Sequence, residues 1–297
     1  MVYNPDARYA HKRSMLNLSY SQQRRFHYLM LGALLLIATI IFAFPFYWLL
    51  ISSLKSRDQI FSDTMQFIPD PLIWQNFKNI FRETQIQRAF FNSATIAAGN
   101  VLLTLFFCSL AGFAFAKYRN APGHNVLFAM VMGTMMIPGA VTMIPVFLVL
   151  TKLHMINSYW ALIIPGAANA FGIFLMRQYI ASFVPDDLLA AARIDGCSEF
   201  GIYWRIVLPI SIPPLAALGI FALIGSWNNL MSAFIFMRTE DMYTLPLWVY
   251  IMQGDQTRID YGIVMAGGLI TALPLIIAFL FFQRGFIQGM TSGAMKQ

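Results

Sequence analysis

Six stretches of this chain contain no Asp, Glu, Lys or Arg and are each long enough to cross a bilayer as a helix. They run approximately Leu31–Ser53, Ala94–Ala116, Asn125–Leu150, Ile156–Met176, Ile206–Phe236 and Ile263–Phe282. In lipid, every backbone N–H and C=O must find its partner within the protein, which leaves helices and closed barrels. The runs are continuous rather than alternating, so the expected fold is an all-α membrane protein of six transmembrane helices. Composition agrees: 58% of the residues are hydrophobic and 11% charged, against about 25% charged in soluble domains. Too little polar side chain exists to cover a water-facing globule.

Topology follows from the basic residues beside the runs. With both termini cytoplasmic, the inner segments hold Arg8, Lys12, Arg13, Arg24, Arg25, Lys117, Arg119, Arg177, Arg193, Arg205, Arg284 and Lys296, against five acids. The outer segments balance eight basic with eight acidic residues, so the whole formal charge of +7 falls inside. This surplus is a topology signal; clustered basic and aromatic motifs for nucleic acid are lacking. The first apolar run is too long for a signal-peptide core and is read as an uncleaved span. The expected organisation is a cytoplasmic segment 1–30, a permease domain 31–282 with an inner loop 184–209, and a cytoplasmic tail 283–297. Cys108 and Cys197 sit in runs of different polarity and make an improbable disulfide.

The spans carry no buried ionisable relay of the kind that couples protons or ions to transport. The four histidines, His11, His27, His124 and His154, lie near or outside span ends. No Gly-x-x-x-x-Gly-Lys-Ser/Thr phosphate loop exists, since none of the six lysines follows a glycine. No metal motif and no nucleophile–base set has plausible spacing. A membrane enzyme is therefore disfavoured. Two readings stay open: a permease driven by a motor on another polypeptide, or an ion-coupled carrier or channel acting alone.

The inner loop Val184–Pro209 reads VPDDLLAAARIDGCSEFGIYWRIVLP. Pro185 suits the first turn of a helix, and Asp186 and Asp187 place negative charge at the positive end of its dipole. Leu188, Leu189, Ala191 and Ala192 supply an apolar face, Gly196 terminates it, and Ser198-Glu199 starts a second short helix. Such an element either docks into a partner's groove or packs on its own bundle; both need an amphipathic face.

The spacing Ala190-Ala191-Ala192-Arg193-Ile194-Asp195-Gly196, nine residues, then Ile206-Val-Leu-Pro209 resembles the EAA loop of ABC importer permeases, with Ala190 where the family carries glutamate. The resemblance extends through Pro45–Lys55, Phe91-Asn92-Ser93, Ala114-Phe-Ala-Lys117, Ile137-Pro138, Ile144-Pro145, Gly172–Gln178, Trp227-Asn228, Thr244–Leu247 and Gln283–Gly289. These segments are similar to the carbohydrate-uptake subgroup, in particular the second-subunit type of maltose permeases. That likeness implies a subunit of a bacterial inner-membrane importer that uses a solute-binding protein. The implied partners are a second, related permease, two ATP-binding cassette ATPases holding ATP and Mg, an extracytoplasmic solute-binding protein and the lipid membrane. It also implies that Asp186–Arg193, Asp195 and Gly196 couple to the ATPase without an ion pair from Ala190. The chain itself carries no cofactor.

Polar groups at membrane depth face the interior of a bundle. Trp227, Asn228 and Asn229, with Asn100 and Asn169, are thus candidates to line a sugar path; helix–helix hydrogen bonding is the competing role. Pro209, Pro213 and Pro214 read as a hinge or as a static kink. Met130, Met132, Met135 and Met136 read as core packing. The turn Gln253-Gly254-Asp255-Gln256 resembles in position an outer loop that enters the binding protein, or is an ordinary solvated loop. The ending Ser292–Gln297 resembles a tail that reaches the ATPase dimer, or is a frayed terminus.

Overall fold

A computed structural model describes residues 20–82, 85–253 and 260–291, and the described residues form helices joined by turns and loops. Two units divide the chain, residues 1–50 and 51–297.

The first unit is the helix α1 (Tyr20–Ser52) as far as Leu50. From Phe26 to Phe46 its large apolar side chains are exposed on every side. A helix that is apolar all round requires a nonpolar solvent. Lipid supplies it, and the apolar stretch Arg24–Ser52 is long enough to cross.

After two short helices, α2 (Arg57–Ile60) and α3 (Gln75–Arg82), the second unit is organised around α4 (Ile86–Lys117). At ~1.5 Å per residue this helix is about 48 Å long, well beyond the hydrocarbon thickness. Its ends therefore reach water on both sides. It packs along α8 (Ala170–Phe183) and α12 (Ile212–Trp227), and α12 packs in turn along α15 (Tyr261–Thr291). All three main apolar clusters draw on α4. Cys108 and Phe113 meet Met176, Ile180, Leu189 and Tyr203; Ile96 meets Ala161, Ile163 and Phe236; Ile86 and Ala97 meet Trp227 and Ala266.

Close approach of α4 and α8 depends on small residues, as is usual where lipid supplies no hydrophobic drive between helices. A Cβ at Gly112 would lie 2.6 Å from Met176 Cβ and 2.9 Å from the Arg177 backbone nitrogen.

Three of the expected spans are interrupted, each at a site where the sequence removes backbone donors or offers competing side chains, whereas Pro45, Pro145 and Pro274 lie within helices. The third is two helices, α5 (His124–Thr134) and α6 (Gly139–Lys152), bent by 104° around a break containing Pro138. The fourth, expected as Ile156–Met176, is not continuous. A single turn α7 (Trp160–Ile163) is followed by non-helical residues including Pro165 and Gly166, and then by α8.

The fifth span opens with α10 (Glu199–Ile202), a π-helical turn Tyr203–Val207 and α11 (Leu208–Ile210), then bends by 82° at Ser211 into α12. Pro209, Pro213 and Pro214 cannot donate to the ladder there, and the break falls between them. It breaks again at Asn228-Asn229 before α13 (Leu230–Phe236). Among the described residues, three helices are long and apolar enough to cross a membrane, or up to five if each bent pair is one span. Cys108 is buried and Cys197 half-buried, and both are free thiols.

Candidate functional site

Three regions of the second unit carry the residues singled out by sequence.

The loop Val184–Pro209 forms helix α9 (Asp186–Ile194). Pro185 stands one position earlier than expected, as the extended N-cap residue rather than in the first turn. Asp186 and Asp187 occupy that first turn. The helix ends through paired backbone bonds, Gly196 N–H to Arg193 O at 3.0 Å and Cys197 N–H to Ala192 O at 2.9 Å. This closure needs a left-handed residue, and Gly196 supplies it at φ +80°. Ser198 then caps α10 by accepting from Gly201 N–H at 3.2 Å.

The four apolar residues expected on one face divide between two. Leu189 and Ala192, three positions apart, are buried in the cluster around Cys108 and Tyr203. Leu188 and Ala191 are exposed with Ala190, and so is Ile194, 86% accessible. Phe200 and Trp204 continue the exposed apolar surface and stack at 6.3 Å. The two sequence readings, packing on the bundle and presenting a docking face, thus apply to opposite sides of one helix.

Ion pairs that the sequence did not disclose hold this element. Lys117, ending α4, has a side chain only 5% exposed; its ammonium donates to Asp186 Oδ1 at 2.6 Å and to Val184 O. The Lys117 ammonium holds the Asp186 carboxyl below its ordinary range. Arg193 grips Glu199 with two guanidinium nitrogens, at 2.7 and 3.2 Å, and the Tyr118 hydroxyl donates to the same carboxylate. Arg193, then Tyr118, lower the Glu199 pKa. Arg193 is therefore committed within the chain, while Asp195 stands exposed beside Gly196. Below the loop, Ser109 on α4 and Tyr203 in the π-helical turn share a buried hydrogen bond of 2.8 Å.

The second region is a cavity of about 450 Å³ between α4, the α7–α8 break, α12 and α13. Its polar lining is Asn100, Thr104, Asn169, Ser226, Asn229 and Ser232, and Phe171, Phe221 and Phe236 supply aromatic surface. Asn169 caps α8 by accepting from Gly172 N–H at 2.8 Å, and Asn229 caps α13 by accepting from Ser232 N–H at 3.2 Å. Each uses its carboxamide oxygen on the backbone, so the NH₂ group stays available to a ligand. Asn100 donates to Ile163 O at 3.2 Å and keeps its oxygen available. The helix breaks and the cavity therefore share a cause: polar side chains cap interrupted helices at membrane depth.

Three of the five proposed path residues, Asn100, Asn169 and Asn229, meet in this cavity; Trp227 and Asn228 do not. Trp227 is buried, with its indole N–H donating to Thr271 O on α15 at 3.0 Å and its ring edge-on to Phe90 at 5.8 Å. Its place is in helix–helix packing. Asn228 lies in a separate depression with Pro246, Gln253 and Thr271. Thr104, Ser226 and Ser232 were missed; as hydroxyls in otherwise apolar runs they carried the signal that the asparagines carried.

The third region is the loop after α13. Gln253 closes α14 (Leu245–Met252), and Gly254, Asp255 and Gln256 lie outside the described residues, as does the tail Ser292–Gln297. The described part is bound to α4. Arg88 reaches Asp241 at 3.3 Å, and buried Asn92 donates to Asp241 O and Tyr243 O, each at 2.9 Å, while accepting from the Tyr159 hydroxyl at 2.7 Å. Asn157, at φ +59°, accepts from Arg238 N–H at 2.8 Å.

The geometry supplies an exposed apolar face on α9, an uncharged cavity and a loop fixed to the same central helix. Residues 107–292 match the family model described as a binding-protein-dependent transport system inner membrane component. The arabinooligosaccharides transport system permease protein AraQ of Halalkalibacterium halodurans is 38% identical over 85% of this chain and 91% of its own length. AraQ of Bacillus subtilis is 35% identical over 94% of this chain and 99% of its own. The lactose transport system permease protein LacG of Rhizobium radiobacter is 31% identical, with coverages of 89% and 94%. A subunit of a bacterial ABC transporter that imports the acidic polysaccharide alginate shares the fold, with TM-score 0.78 and 23% identity over 90% of this chain and 99% of that one. The chain belongs to the family of binding-protein-dependent transport system inner membrane components, the non-catalytic permeases of ABC transporters.

Proposed function

We propose that this chain is one of two related permease subunits of an ATP-driven saccharide importer in a bacterial inner membrane. Six spans place both termini in the cytoplasm. Two ATPase subunits, holding ATP and Mg, act on α9 and α10, and an extracytoplasmic binding protein delivers the solute to the outer side. This chain supplies half of the path, through the cavity at Asn100, Asn169 and Asn229, and contributes no bond-making chemistry.

The observation that carries the reading is the division of α9 into two faces. Leu189 and Ala192 anchor the helix in the bundle, while Ala190, Ala191 and Ile194 remain exposed. A push on the exposed face is then transmitted through Lys117 to the central helix that lines the cavity. The names of the oligosaccharide permeases to which the chain is similar support a saccharide as the solute.

Gly225 offers a direct test. It borders the cavity, and a Cβ there would meet no atom within 4 Å. Gly225→Leu should therefore leave assembly with the ATPase intact while filling part of the cavity, and ATP-driven uptake into proteoliposomes should fall by about tenfold or more. Undiminished uptake in an assembled variant would remove the cavity from the path. Uptake by the permease pair without ATPase subunits would instead establish the rival carrier or channel.

A further inference from the structure

We infer that the path this chain lines takes uncharged saccharides and selects against uronate oligosaccharides; the inference rests on the saccharide reading above. Among the described residues, no Lys, Arg, His, Asp or Glu lines the cavity between α4, α8, α12 and α13. Its polar groups are three carboxamides and the hydroxyls of Thr104, Ser226 and Ser232. A sugar hydroxyl both donates and accepts, and this set offers both functions. The NH₂ groups of Asn169 and Asn229 donate, the oxygen of Asn100 accepts, and the serine hydroxyls do either.

The apolar C–H face of a sugar ring needs a flat nonpolar surface. Phe171 and Phe221 provide one corner, with centroids 5.5 Å apart and planes at 89°. Their exposures of 43% and 41% leave aromatic surface for a ligand.

A carboxylate fares differently. Entering such a site strips its hydration, and carboxylates are held at depth by a cation or a dense set of donors. The charge-like features here are the N-termini of α8 and α13, and Asn169 and Asn229 already cap them through Gly172 N–H and Ser232 N–H. A uronate would thus meet isolated amide donors and no compensating charge.

The test compares arabinotriose with trigalacturonate in proteoliposomes holding the whole transporter. Each sugar is presented with the binding protein at saturating loading, so that passage rather than delivery is measured. Initial ATP-driven uptake of the uronate should be slower by about tenfold or more. Equal rates would overturn the inference. Failure of both sugars to be taken up or to stimulate ATP hydrolysis, in an assembled complex that still hydrolyses ATP, would overturn the saccharide reading itself.

A variant locates the filter. Ser232→Lys keeps the backbone N–H that Asn229 caps while placing an ammonium at the cavity wall. It should raise the uronate-to-neutral uptake ratio by about tenfold. An unchanged ratio in an assembled variant would place selectivity elsewhere and overturn the inference.

Discussion

At the scale of single residues, Lys117 joins the bundle to α9. Its ammonium is almost fully covered, ends a helix whose carbonyls favour a cation, and contacts both the entry carbonyl of α9 and Asp186. The Asp186 carboxylate is exposed, so solvent screens the pair, and its value lies in geometry more than in stability. Asp186→Asn should therefore leave expression unchanged but lower sugar-stimulated ATP hydrolysis several-fold. Lys117→Met should do more, because it also removes the donor to Val184. A lysine at 186 combined with Lys117→Glu should restore part of the coupling; a merely structural role predicts no such rescue.

The pH dependence has a definite sign. Asp186 ionises below its ordinary value of 3.8. Its contribution is present above that value and is lost only as pH falls through the lower folded pKa. The ratio of wild-type to Asp186→Asn coupling should consequently stay flat from about pH 5 to 8. A ratio that fell within that window would assign the titration to another group. None of this was legible in advance: Lys117 was visible as the residue ending a charge-free run, but its partner lies 69 positions away. Pairing across such a distance is set by the α4–α8 packing, which no local pattern encodes.

Individual elements show which features the sequence discloses and which it withholds. Helix α9 was readable almost to the residue, since Pro185, two aspartates, an apolar set and Gly196 are local signals of start, dipole and stop. Its division into two faces was not, because four apolar positions in five residues span too much of a turn to say which pair is covered. The breaks at Pro165-Gly166 and Asn228-Asn229 were hidden inside hydropathy, which reports solvent and not backbone continuity.

Close packing gives the test at this scale. At Gly112 the backbones of α4 and α8 approach so nearly that a Cβ would overlap Met176 Cβ and the Arg177 backbone, neither of which is a flexible side-chain tip. Gly112→Val should cost about 1–3 kcal/mol by overpacking and lower the thermal midpoint of the detergent-purified complex. Gly225→Leu, placed where a Cβ meets open space, should leave that midpoint within a degree or two. An equal loss in both would mean that the two helices adjust their separation, contrary to the fixed contact described above.

For the whole molecule, the expected topology rests on the placement of all seven surplus positive charges on one side. The folded chain adds landmarks at two levels. Lys117, Asp186, Arg193 and Glu199 form a polar layer at one end of α4, and Arg88, Asn92, Asp241 and Asn157 form another at its opposite end. The helix between them carries no charge from Ala89 to Ala116. Its length exceeds the hydrocarbon thickness, so each layer sits in water on its own side. A natural reporter exists for the layer at the Lys117 end. Cys197 is half-buried in the α9–α10 turn, whereas Cys108 is buried in the core and hydrogen-bonded to Asn169 O. In membranes stripped of ATPase subunits, an impermeant maleimide should label Cys197 in inside-out vesicles and leave right-side-out vesicles unlabelled. A Cys197→Ser, Asp63→Cys variant should show the opposite pattern, since Asp63 is exposed in the loop that follows α2. Labelling of Cys197 from the outer side would invert the assigned orientation. The docking face of α9 would then lie where no ATP is available, so the orientation and the coupling role stand or fall together.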